Sequence, residues 1–262
     1  MEQTSRLRTI GIGAAGLAVT FGLWWLVAAT VLADFQIPTP GEVLSAFGDR
    51  GWSYYSTVFE ITLKESMYGY VVGVALALAT AMVVLLVPVI EPIVMQFAVI
   101  TYCLPIVVLA PILITVHDIP EKGGLSSTAI DLAAVSVFFT TVVGAVLGFR
   151  AAERSTLDVV SVYGGSRFQQ FWRVRVVSAL PALFTTLQIA APAAFLGALL
   201  GEYFDRHLEI GVGPSLILSQ NNRETALAWS LGIGCAVVSG AAYALLGLLG
   251  RLVAPWSKGV AR

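Results

Sequence analysis

An all-helical membrane protein of about six transmembrane helices is the fold class predicted here, and three features of the sequence predict it. Hydrophobic residues make up 57% of the chain and charged residues only 12%, against roughly 25% charged in a soluble domain. The apolar residues gather into six runs nearly free of charge, each long enough for the ~20 residues a helix needs to cross a bilayer. The basic residues also favour one set of connections between those runs. With 262 residues, one membrane domain covering 1–262 is the economical reading.

The runs lie at about Ile10–Ala33, Met67–Ile90, Pro92–Val116, Ala129–Phe149, Ala182–Leu200 and Ala226–Val253. The first follows a basic stretch, Met1 to Arg8, but it exceeds a signal-peptide core and lacks a clear small-residue cleavage site, so it reads as a retained span. Only Ile90, Glu91 and Pro92 separate the second and third runs. That spacing predicts a tight helical hairpin with Glu91 on its aqueous side.

Placing the N-terminus in the cytoplasm puts ten Lys/Arg and four Asp/Glu in the inside pieces (1–9, 88–92, 150–181, 251–262). The outside pieces (34–66, 117–128, 201–225) then hold five Lys/Arg and eleven Asp/Glu. This positive-inside bias predicts cytoplasmic N- and C-termini. Overall charge is near neutral, with 15 basic and 16 acidic residues, so nothing points to nucleic acid as a partner. Cys103 and Cys235 sit inside apolar runs, and no Cys/His cluster has metal-ligand spacing.

Two connections are long enough for structure of their own. In 34–66, Thr39 can cap a helix that starts at Pro40, with Glu42 completing a capping box, which predicts a short surface helix at about 40–48. In 150–181, Ser155 with Asp158 suggests a helix start, Gly164-Gly165 a stop, and Ser166 with Gln169 a second start. The pattern is helix, glycine break, helix, and by itself it fits an ordinary amphipathic interfacial loop as well as a docking knob.

Asp158-Val159-Val160, Gly164 six residues after Asp158, and Val174, Val176 and Val177 leading into Ala179-Leu180-Pro181 supply the first family signal. The spacing resembles the cytoplasmic "EAA" loop of binding-protein-dependent ABC transporter permeases: Glu-Ala-Ala, a glycine six residues after the Glu, and a hydrophobic-x-Leu-Pro ending. Further stretches resemble the nitrate, sulfonate and taurine branch. Ile37-Pro38-Thr39-Pro40 matches its x-Pro-Ser-Pro, and Thr62-Leu63-Lys64-Glu65-Ser66 with Gly69 resembles its Thr-Leu-x-Arg-Ser-x-x-Gly. Pro105, Ala110, Pro111 and Leu113 approximate Pro-x-x-Ala-x-x-Pro-Leu. Glu202 with Gly211-Val212-Gly213 resembles a Glu followed by Gly-Leu-Gly.

Departures accompany the likeness. The loop's Glu is Asp158, its alanines are Val159 and Val160, its final proline is Val177, and Glu65 stands where the branch has Arg. His117-Asp118-Ile119-Pro120 replaces the branch's Phe-Gly-x-Gly. Such degeneracy also fits a permease that pairs with a different, more typical permease.

The resemblance implies a MetI-like core of five helices plus one N-terminal helix, in a bacterial plasma membrane. It implies a second permease subunit, related or identical, two cytoplasmic ABC ATPase subunits and an extracytoplasmic substrate-binding protein. Asp158, Val159, Val160, Tyr163, Gly164, Gly165, Ser166 and Arg167 would couple to the ATPase, while Glu202, Gly211 and Gly213 would shape the outer end of the translocation pathway. The chain has no Gly-x-x-x-x-Gly-Lys-Ser/Thr phosphate loop. ATP with Mg is therefore expected in the partner, with no cofactor or catalytic residue in this chain.

Intramembrane polar groups are costly and often mark a pathway; Gln96, Gln188 and Asp131 are the candidates. Asp131 near a span end can simply face water. Gln188 is the stronger pathway candidate, because Pro192 one turn on frees a backbone carbonyl. Gly69/Gly73, Gly144/Gly148 and Gly197/Gly201 predict close helix crossings, or a line of small residues beside a pore. His117 and His207 read as surface histidines. The alternative function is an ion-gradient-driven secondary transporter or channel subunit, but those usually show an internal repeat and paired broken helices, and neither is legible here.

Overall fold

The computed structural model describes residues 2–30, 36–121 and 123–256. Ten α-helices run through them: α1 Glu2–Ala29, α2 Pro40–Leu86, α3 Glu91–Cys103, α4 Ile106–Val116, α5 Ser127–Arg150, α6 Arg154–Val162, α7 Arg167–Gln170, α8 Val176–Phe204, α9 Val212–Asn221 and α10 Thr225–Val253. The described residues contain no strand. Five helices are long and apolar enough to cross a membrane: Gly11–Ala29, Pro40–Leu86, Ser127–Arg150, Arg167–Phe204 and Thr225–Val253. Pro88–Cys103 and Ile106–Val116 form a pair bent by 92°, which brings the number to six where the pair is counted as one broken span.

That bend breaks the third apolar run, expected at Pro92–Val116, into two helices. Leu104 is extended (φ −67, ψ 123), because the ring of a following proline disfavours helical backbone in the residue before it. Pro105 then opens α4. The hairpin also moves: α2 stops at Leu86, and a 3-10 turn, Pro88–Ile90, leads into α3. The first run, expected to reach Ala33, is helical to Ala29; residues 31–35 and Ser257–Arg262, the latter the second half of the expected C-terminal inside segment 251–262, lie outside the described residues.

Thr39 and Glu42 form the expected capping box, with Thr39 N donating to Glu42 Oε2 (2.6 Å) and Glu42 N to Thr39 Oγ1 (3.4 Å). The surface helix they start does not end near 48. It continues into the second span through one kink at Gly51 (φ 73, ψ 162), a left-handed backbone that glycine adopts without cost.

Contacts gather the chain into two compact units. In the first, Met1–Ser56 with Ser215–Cys235, Trp24 stacks on Trp229 with ring centroids 5.4 Å apart and donates to Pro38 O. Tyr55 and Ser230 hydroxyls hydrogen-bond at 2.7 Å, and Arg50 pairs with Glu224.

In the second unit, Thr57–Pro214 with Ala236–Arg262, α5 is the central helix. One cluster packs Ala77, Ala81 and Val84 of α2 with Val142, Ala145, Val146 and Phe149 of α5 and Ala179 and Leu183 of α8. A second joins Ala129, Ala133 and Val137 of α5 to Ala190, Ala194 and Ala198 of α8. The paired glycines sit at these crossings. A Cβ on Gly73 would lie 2.5 Å from Ala134 O, and one on Gly197 would lie 2.6 Å from Leu132 O. Helix backbones therefore touch where the Gly-x-x-x-Gly spacing predicted close approach.

Candidate functional site

Two places in the second unit hold most of the candidate site residues, one at each end of α5. At the Arg150 end, the chain leaves α5 and makes a knob. α6 begins at Arg154 with Glu153 as its N-cap, one residue before the Ser155 start expected from sequence; the Ser155 hydroxyl bonds Glu153 rather than the helix backbone. Asp158 lies on an exposed face of α6, whereas Val160 turns inward.

The end of α6 is a double-bonded glycine stop. Gly164 has φ 76, Gly164 N donates to Ser161 O (2.9 Å) and Gly165 N to Val160 O (2.8 Å). These are the two bonds of a Schellman motif, which satisfies carbonyls that a helix end leaves open. Gly165 is needed for room, since its Cβ would meet the Val160 carbonyl at 2.7 Å. Ser166 and Gln169 close a capping box on α7. Gln170 Nε2 then donates to Ser161 Oγ at 2.7 Å, tying α7 back onto α6.

Val159, Val162, Tyr163, Phe168 and Trp172 on this knob are more than half exposed. The base is anchored: Arg150 pairs with Glu91 of α3, Arg175 Nη1 donates to Phe149 O, and the Phe149 and Phe171 rings meet at 5.7 Å. A rigid, anchored helix pair with an apolar face is suited to docking, because it can transmit a displacement that a loose loop would absorb.

At the Ser126 end of α5 lies a buried polar cluster. Glu202, on the last turn of α8, is fully buried. Thr62 Oγ1 donates to its Oε1 (2.6 Å) and Gly213 N to its Oε2 (2.7 Å). Val212 N donates in turn to Thr62 Oγ1 (3.1 Å). Glu202 thereby caps the N-terminus of α9, where unpaired N–H groups and the helix dipole favour a negative charge. Gly211 and Gly213 leave it space: a Cβ on either would come within 2.7 Å of the Glu202 side chain.

Glu65 completes the cluster, accepting from Ser126 N at 2.6 Å. Ser126 is the N-cap of α5, and its hydroxyl makes a long 3.4 Å bond to Asp205, which also holds His207. The structure thus brings Glu202, Gly211 and Gly213 together and leaves Gln188 and Pro192 elsewhere on α8. Gln188 packs against Gly247 of α10, Pro192 is half-buried, and Gln96 is exposed. Asp131 bonds His117 at 2.8 Å, a pair the sequence reading missed.

Thr62, Glu65, Ser126 and Asp205 were not singled out as site residues. Thr62 and Glu65 are three apart on one helix and so share a face, which is the signal that could have found them.

Residues 73–258 match the family described as the inner membrane component of binding-protein-dependent transport systems. The chain belongs to this family. It is a multi-pass permease subunit of an ATP-binding-cassette importer. The permease is 22% identical over 236 residues to a formylaminopyrimidine transport permease protein of Halalkalibacterium halodurans, covering 90% of this chain and 92% of that one. It is 27% identical to a riboflavin transport system permease protein of Chloroflexus aurantiacus, over 58% of this chain and 54% of that protein. A taurine transport system permease protein of Escherichia coli is 24% identical over 71% of this permease and 67% of its own length. The likeness therefore extends over nearly the whole permease and includes the sulfonate-type branch.

Proposed function

We propose that this permease is one of two membrane subunits, identical or related, that with two cytoplasmic ATPases import a small organic solute handed over by an extracytoplasmic binding protein. The observation that carries this reading is the α6–α7 knob, held by the Gly164-Gly165 stop and the Ser166 capping box, with Val159, Val162, Tyr163 and Phe168 facing outward. Asp158 through Arg167 form the surface that the ATPase grips; ATP and Mg bind in that partner.

The ten-to-five basic bias between the two sets of connections supports an orientation with the knob and both termini in the cytoplasm of a bacterial inner membrane. The Glu202 cluster then lies at the outer end, beside Gly211 and Gly213, where a binding protein would deliver solute. Relatives named for formylaminopyrimidine, riboflavin and taurine support a compact polar organic substrate, a vitamin precursor or a sulfonate. Gln188, beside Pro192, is the polar group on α8 that would line the route.

The test is affinity purification of the tagged permease with its genomic neighbours co-expressed. The expected result is a complex with an ATPase whose ATP turnover rises on addition of the loaded binding protein. A permease that transports solute alone, driven by an ion gradient, would overturn the reading.

A further inference from the structure

Glu65 has no part in the function proposed above, yet it is fully buried. Its Oε1 accepts one backbone N–H, from Ser126. Its Oε2 is buried with no hydrogen-bond donor among the described residues. An ionised carboxylate offers about four acceptor sites, and leaving them empty inside protein is expensive. Glu202 lies within hydrogen-bonding reach of it, and Glu202 already has the donors that suit a negative charge: the Thr62 hydroxyl and Gly213 N at the start of α9.

Among the described residues no basic side chain answers Glu65. Lys64 on the same helix points out to Glu60. Asp205, itself acidic, faces Glu65 and holds His207.

We propose that Glu65 and Glu202 hold one proton between them, with the Glu65 acid donating from Oε2 to the Glu202 carboxylate. The proton satisfies the orphaned oxygen and removes one of two like charges in a shared buried site. It also joins two half-networks into one: the N-cap of α5 through Ser126 and Glu65, then Glu202, then Thr62 and the start of α9. Because the bridge exists only while the proton is bound, its stabilisation is fully present below the range where an exposed glutamate ionises, about pH 4.3. It declines steadily as pH rises from there, until the folded protein too gives up the proton. This inference does not depend on the ATPase-docking reading.

The test is infrared spectroscopy of the purified full-length protein at neutral pH, with thermal unfolding followed from acid to alkaline pH. Wild type should show a protonated-carboxyl C=O band that disappears in Glu65→Gln, together with a midpoint that falls as pH rises from about 4.3 to the pH at which the band is lost. In Glu65→Gln the amide mimics the protonated acid, so this fall should shrink to less than half of the wild-type value. A band that persists in Glu65→Gln, or a fall over that range as large in the variant as in wild type, would overturn the proposal. A wild-type midpoint that rises with sodium or potassium concentration rather than with acidity would overturn it too, in favour of a bound metal cation. Should Glu65→Gln fail to fold, the same spectrum of Glu202→Gln decides: the Glu65 C=O band must shift in frequency, because its proton then meets an amide oxygen instead of a carboxylate, and an unshifted band would overturn the proposal.

Discussion

Thr62 is the residue on which the Ser126-end cluster turns, because its hydroxyl donates to Glu202 while accepting from Val212 N. Thr62→Val keeps the shape and removes both bonds, leaving a buried carboxylate oxygen and a backbone N–H short of partners. We expect a loss of about 1–3 kcal/mol, read as a lower unfolding midpoint in detergent. The glycines separate by surroundings in the same way. Gly213→Ala places a Cβ 2.5 Å from Glu202 Cβ and should destabilise by roughly 1–3 kcal/mol. Gly48→Ala, in a helix with nothing within 4 Å, should instead stabilise by up to about 1 kcal/mol, and equal effects of the two in thermal unfolding would contradict the packing described.

Among elements, the α6–α7 knob was the most legible, and for a local reason. Capping boxes and glycine stops are written in a few adjacent residues, so Ser166 with Gln169 and Gly164-Gly165 could be read directly. The interlock between the two helices could not. Ser161, exposed on α6, looks dispensable in the sequence, yet it accepts from Gln170 Nε2 across the turn. Gly165→Ala should therefore disturb the knob through the Val160 carbonyl, raising protease cleavage between α6 and α7 several-fold, and Ser161→Ala should do so more mildly. Thr156→Ala, with no such bond, should leave cleavage unchanged. The bend between α3 and α4 was legible only as Pro105, because an apolar run of the right length hides a break inside it. Likewise the Glu65, Glu202 and Asp205 cluster joins segments 140 residues apart between Thr62 and Glu202, a distance no local pattern spans.

At the scale of the molecule, composition was enough to specify an all-helical membrane protein, since 57% apolar residues in six runs leave few other folds. The proposed orientation rests on the basic bias and is checked by labelling. In a background with Cys103 and Cys235 replaced, a cysteine at Ser166 should react only from the cytoplasm and one at Ser53 only from outside. A cysteine at Ser257, beyond the described residues, should behave as Ser166 does. Labelling of Ser53 and Ser166 from the same side would contradict the topology. The central claim, that the knob couples this permease to an ATPase, is tested most directly by co-purification of the ATPase with Gly164→Trp beside wild type and Thr156→Ala. Gly164 sits at φ 76, where a side chain costs about 1–2 kcal/mol, and a bulky one must displace the turn. The account predicts that Gly164→Trp inserts normally in the membrane but loses the ATPase and substrate-stimulated ATP turnover, while Thr156→Ala keeps both; normal docking and transport by Gly164→Trp would contradict it.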